Sequence, residues 1–184
     1  PQERMVNDAI RYAADRDVLV ICAAGNNSRN LDTIPCYPSG VDHAGRFLPN
    51  FLRVGASDEQ GRCAQISNYG RETVHLFAPG TLIASVFPGN KYDMSQGTSL
   101  SAPIVTAVAT LLRSYFPYLK AAQIRQLLME TVRPMDDVKG SISGGTLDML
   151  AAVERLLQQP DWYRAESVSE KYVSTYHLSP SPKL

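Results

Sequence analysis

Apolar residues recur along this chain in two rhythms, one helical and one extended. Met5, Val6, Ala9, Ile10 and Ala13 follow the three-to-four spacing of a single helix face, predicting a helix over 3–16. "DVLVICAAG" is different: Val, Leu and Ile run without a break, as burial on both faces of a parallel sheet requires. Gly25, Asn26, Asn27, Ser28 and Asn30 close that strand and open a loop to about Asn50, holding Pro35, Pro38, Gly40, Gly45 and Pro49. "FLRVGAS", "TVHLFAPG" and "LIASVF" predict three further strands, each closed by turn residues. A long apolar helix is expected from about Leu100 to Tyr115, stopped by Pro117. In "AAQIRQLLMETV", Ile124, Leu127, Leu128 and Val132 share one helix face, with Pro134 beyond it. The glycine-rich "GSISGG" leads to a last helix, "TLDMLAAVERLLQQ". This order predicts an α/β fold of three layers, a mostly parallel sheet flanked by helices. Residues 1–158 carry the pattern; 159–184 are polar, hold Pro160, Pro180 and Pro182, and read as a tail or linker.

Composition narrows the function classes. The 184 residues are 44% hydrophobic and 20% charged, with a formal net charge of +0. That balance suits a globular domain and gives no field to attract nucleic acid or a membrane surface. Runs such as "APIVTAVATLL" are too short to span a bilayer. The start is charged and amphipathic, without a secretory signal or an initiator Met, which fits a chain that begins inside a larger protein. Cys22, Cys36 and Cys63 form no CxxC pair, which argues against zinc; their odd number leaves at least one thiol free.

Two stretches carry candidate chemistry. "GTSLSAP" places hydroxyls at the mouth of an apolar helix, where Ser and Thr commonly cap and Pro is tolerated. A serine there has a second use. Its backbone N–H lacks an intrahelical partner, and the helix dipole favours negative charge beside it. "AAGNN" ends a strand with a carboxamide, which marks a turn or, at the edge of a parallel sheet, a donor aimed at a developing oxyanion.

Taken together, "VLVICAAGNN", "YPSG", "FLRVGASDEQGRCAQISNYG", "VHLFAPG", "GNKYDMSQGTSLSAP" and "GGTLDMLAAVERL" resemble the subtilisin-like serine proteases from about Met5 to Leu157. The resemblance implies a serine endopeptidase in which Ser99 is the nucleophile. Asn26 would be the side chain of the oxyanion hole, with the Ser99 N–H as second donor. Ala23, Gly25 and Asn27 would line the primary specificity pocket, with Cys36 near its floor. Thr98, Ser101 and Pro103 are read as the turn, cap and direction of the helix. The "NNS" sequon is predicted to be unmodified, because a glycan on Asn26 would fill the oxyanion hole.

The family orders its triad Asp, His, Ser. This chain has no "D-[ST]-G" strand end, no "HGTHVAG" helix and no "SxGG" segment. It therefore resembles the C-terminal half of the catalytic domain, incomplete at the N-terminus, and its expected partners are a polypeptide substrate and the N-terminal half of the same domain. His43, His75 and His177 lack the family's histidine context and are expected in structural or surface roles. The resemblance implies no cofactor for catalysis, a structural calcium in the full-length protein with ligands mostly upstream, and a secreted or secretory-pathway location. A non-catalytic, subtilase-derived binding module is the competing reading. An α/β-hydrolase is excluded by the lack of a G-x-S-x-G elbow.

Overall fold

The structure, a computed structural model, describes residues 2–136 and 138–158. Helix α1 (Gln2–Ala14) leads into strand β1 (Val20–Ala23). β2 (Phe51–Ser57) and β3 (Leu76–Pro79) follow, then a hairpin of β4 (Ile83–Phe87) and β5 (Lys91–Ser95). Next come α2 (Thr98–Tyr115), α3 (Ala121–Glu130), the short β6 (Arg133–Pro134) and β7 (Gly145–Thr146), and α4 (Met149–Gln158). One sheet has the order β1-β2-β3-β7-β6, parallel except for the antiparallel β6 at its far edge.

β2 lies inside the sheet between β1 and β3 and is buried at all seven positions, Arg53 and Ser57 included. Alternate side chains serve opposite layers. Leu52 and Val54, with Leu76 and Ala78 of β3, pack against Val105, Val108, Ala109 and Leu112 of α2 and against residues of α3 and α4. Those α2 positions repeat at three and four residues, so burial of one stripe holds the helix on the sheet. On the other face Phe51 meets Ile10 of α1 and Leu48. A third cluster joins Ala24, Leu31, Cys63, Val74 and Phe77 beneath the loops. The result is helices, sheet and a further helical layer, in agreement with the three-layer expectation.

Three details differ from the sequence reading. "LIASVF" leaves the main sheet and pairs antiparallel with β5, "KYDMS", a short and mostly exposed strand that the sequence reading does not single out. The turn between them uses Gly89 and Asn90 at positive φ, which glycine and asparagine tolerate. α2 starts at Thr98 rather than Leu100, and Pro103 sits inside the helix instead of steering its entry. β1 is shorter than the apolar run from Val18 to Ala24 that contains it, and all four of its residues are half-buried. The cause is position: β1 pairs with β2 on one side and with nothing among the described residues on the other.

His75 is fully buried beside Phe47 and Phe51, and its Nδ1 accepts the Arg53 N–H at 3.0 Å. Burial, together with the nearby Arg125 and Arg53 cations, holds its pKa well below the usual 6.5. The unfolded chain therefore takes up this proton first. Stability is full above about pH 6.5 and drains as pH falls below it, by at most about 1.4 kcal/mol per unit from this one group. Urea midpoints measured between pH 7 and 5 should fall less steeply in His75→Gln, whose amide oxygen still accepts from Arg53.

Candidate active site

The C-terminal end of β1 and the N-terminus of α2 meet through three hydrogen bonds. Asn26 Oδ1 accepts from both the Thr98 N–H and the Thr98 hydroxyl, each at 2.9 Å, and Thr98 Oγ1 accepts the Gly25 N–H at 3.0 Å. The helix is thus capped from 72 residues away. Neither Thr98 nor Ser101 caps it, a correction to the sequence reading. Ser101 is buried and donates to the Pro79 carbonyl at 3.1 Å, tying α2 to the end of β3. The Gly97 N–H donates to Gly80 O at 2.7 Å beside it.

With its oxygen committed to Thr98, the Asn26 carboxamide presents its NH₂ elsewhere. A Cβ built on Gly97 would lie 3.0 Å from Asn26 Nδ2 and 3.2 Å from Ser99 Oγ. The amide donor and the serine hydroxyl therefore border one small space over Gly97, which stays open because Gly97 has no side chain and a φ of 146°. Ser99 is exposed, and neither its hydroxyl nor its backbone N–H has a partner among the described residues. Two donors, Asn26 Nδ2 and Ser99 N–H, and a helix N-terminus thus surround the hydroxyl, an arrangement able to hold a negative oxygen formed beside it.

Thr98→Val keeps the shape but removes two hydrogen bonds, the hydroxyl's donation to Asn26 Oδ1 and its acceptance of the Gly25 N–H. At about 1 kcal/mol for each neutral hydrogen bond, stability should fall by about 2 kcal/mol, as urea midpoints would read.

The residues expected around the pocket come together in part. Ala23 ends β1 opposite Val54, and Gly25 and Asn27 lie on the loop that continues it. Cys36 approaches that loop from below, its thiol 3.9 Å from Ala24 O. Sequence reasoning missed Asn68, which staples this loop. Its Oδ1 accepts the N–H groups of Asn27 (3.1 Å) and Arg29 (2.9 Å), and its Nδ2 donates to Ala24 O at 2.8 Å. A Cβ on Gly25 would come within 2.6 Å of that Nδ2. A buried asparagine in "ISNYG" was the available signal, but its partners lie about forty residues away.

None of the three cysteines forms a disulfide, and burial pushes the Cys22 thiol up. His43 Nε2 contacts Asp8 Oδ1 at 3.1 Å, while His75 is occupied with Arg53; neither bonds Ser99. His177 and the proposed tail lie outside the described residues. No group of three or more His, Cys, Asp or Glu among the described residues is placed to hold a metal ion.

Known proteins share this arrangement of elements. The family model described as the subtilase family matches residues 2–161. The thermostable alkaline protease of Halalkalibacterium halodurans is 35% identical over 123 residues, covering 67% of this chain and 31% of that protein. Subtilisin DY of Bacillus licheniformis is 33% identical over 135 residues, covering 70% and 46%. Among solved structures, the prenylagaramide maturation protease PagA superposes with a TM-score of 0.66 at 29% identity over 81% of this chain and 54% of its own. The patellamide maturation protease PatA gives 0.65 at 28% over 83% and 56%. The chain thus spans less than half the length of these curated relatives and just over half of the solved chains. With a family match along nearly all of its described length and a mostly parallel sheet shared with solved proteases, the chain belongs to the subtilase family.

Proposed function

We propose that this chain supplies the nucleophile and oxyanion hole of a serine endopeptidase, and that the N-terminal half of the same domain supplies the Asp and His. Ser99 Oγ attacks the scissile carbonyl carbon and gives its proton to the imidazole of that His. The carbonyl oxygen becomes an oxyanion held by Asn26 Nδ2 and the Ser99 N–H. Collapse breaks the C–N bond, the amine leaves with the imidazolium proton, and an ester remains on Ser99. Water, deprotonated by the same imidazole, then releases the acid and restores the serine. The upstream Asp orients the imidazole. Ala23, Gly25, Asn27 and Cys36 would border the side chain that precedes the cleaved bond. The chemistry uses no cofactor, and a structural calcium would bind in the other half.

One observation carries this reading: the Asn26 carboxamide is pinned by its oxygen, so its NH₂ and Ser99 Oγ face the same glycine. A plain helix cap needs the oxygen alone. The need for a second half is supported by the open edge of β1, where a groove of about 400 Å³ lies between the strand and α2, lined by Leu19, Ile21, Ala109 and Arg113 among others. A serine without a base is an ordinary alcohol, so the chain alone should hydrolyse no peptide. Adding a subtilase N-terminal half that carries Asp and His should restore hydrolysis with a burst of the first product. Full turnover by the 184-residue chain on its own would overturn the division of labour.

A further inference from the structure

Arg53 is the only charged residue in β2, and it is 2% exposed. Among the described residues no carboxylate forms an ion pair with it. Its guanidinium donates instead to three main-chain carbonyls: Thr73 O at 3.3 Å, Cys36 O at 3.2 Å and Pro38 O. The Phe51 ring adds a face 5.7 Å away, and Arg53 Nε stays buried without a partner. Burying a cation is costly unless its donors are used, and a sheet core offers cheaper apolar residues. The carbonyls it gathers come from two segments, the stretch before β3 and the Cys36–Pro38 loop.

Just beyond Pro38 the loop is held from α1: Asn7 Nδ2 donates to Ser39 Oγ at 2.9 Å, Ser39 donates to Glu3 Oε1 at 2.9 Å, and Asn7 Oδ1 accepts the Gly40 N–H at 3.3 Å. A cavity of about 200 Å³ lies beside it, lined by Glu3, Cys36, Tyr37, Phe47 and Arg53, and Tyr37 is exposed. From the opposite side Cys36 faces the strand end that leads to Asn26, through Ala24 O. The planar fork of Arg53 ties β2 directly to the main chain of Cys36 and Pro38.

We propose that Arg53 is a positioning residue that fixes the floor of the primary specificity pocket, an internal cation gripping Cys36 and Pro38 from within the sheet. The proposal rests on the serine-protease reading for the pocket's use, but the grip itself can be read without activity. Loosening the grip leaves Ser99, Asn26 and Thr98 untouched and lets Cys36 move. Discrimination among side chains preceding the cleaved bond is lost, while the intrinsic reactivity of Ser99 is kept.

Two variants and two readouts test this in the completed enzyme. Arg53→Lys keeps the charge, but a single ammonium cannot span both segments; Arg53→Met removes every donor. The first readout is the alkylation rate of Cys36, with buried Cys63 as internal control. Cys36 is expected to react at least 10-fold faster in either variant, with Cys63 unchanged. Equal acceleration of Cys63 in Arg53→Met would mean unfolding, and the Arg53→Lys result then decides alone. The second readout is kcat/KM over peptides differing only in the residue before the scissile bond, beside labelling of Ser99 by a small fluorophosphonate without a peptide. Preference should flatten at least 10-fold while labelling stays within about 2-fold. A Cys36 rate unchanged in Arg53→Lys would overturn the grip, whatever the activity. A faster Cys36 with preference intact would overturn the pocket role. Absence of labelling in the unaltered enzyme would strike the serine-protease reading instead, while the Cys36 rates still judge the grip.

Discussion

Ser99→Ala is expected to abolish peptide hydrolysis by the completed enzyme while leaving substrate affinity and fold intact. The side chain is exposed and makes no hydrogen bond, so its removal costs the chain almost no stability. Its chemical cost is the opposite. Without Oγ no acyl ester forms, and what survives is whatever the oxyanion donors achieve with water. In subtilisins, whose value is borrowed here rather than derived from this geometry, loss of the nucleophile lowers kcat by about 10⁶-fold. A fall of that order with an unchanged urea midpoint would separate a nucleophile from a capping serine. A variant that kept more than a few per cent of kcat would remove Ser99 from the mechanism.

Asn26→Leu is expected to have the second largest effect, and a different one. The carboxamide does two things: its oxygen caps α2 through Thr98, and its nitrogen faces the space beside Ser99. Leucine fills similar volume but provides neither. Loss of the cap should cost about 1 kcal/mol of stability. Loss of the donor should lower kcat by about 10² to 10³-fold with KM little altered, again the magnitude known for subtilisins. Asn26→Asp sharpens the distinction. A carboxylate still caps Thr98, so stability should survive, yet it brings negative charge to where the oxyanion forms, so kcat should fall at least as far. If Asn26→Asp stayed active, the nitrogen would have no catalytic part and the residue would be a cap only.

The elements that position this site were legible in the sequence to different depths. β2 is legible as a short strand closed by turn residues, and α2 because its stripe at Val105, Val108, Ala109 and Leu112 packs on the sheet. Both patterns are local. Ser99 and Asn26 were legible through motifs, each of which sits where backbone geometry demands glycine, at Gly25 and Gly97. What joins them was not. The sequence places Thr98 in a turn, but its role is to receive Gly25 and hold Asn26, bonds between residues 73 and 72 apart. Asn68 and Arg53 were hidden for the same reason. Each has a polar side chain in an unremarkable setting, and its meaning comes from carbonyls and amides that only the folded chain brings near. β5 is hard to read because its alternation, Tyr92 and Met94, spans only five residues on an exposed hairpin, and β6 and β7 because two residues leave no period.

Labelling of Ser99 by a serine-directed phosphonate, followed by peptide mass spectrometry, tests most directly whether this chain is the nucleophile-bearing half of a serine protease. The expected result is no adduct on the isolated chain. A stoichiometric adduct confined to Ser99 should form once an N-terminal half with its Asp and His is added, and Ser99→Ala should abolish it. A Ser99 that stays unlabelled in the assembled complex, or an adduct on another serine, would contradict the role given to it.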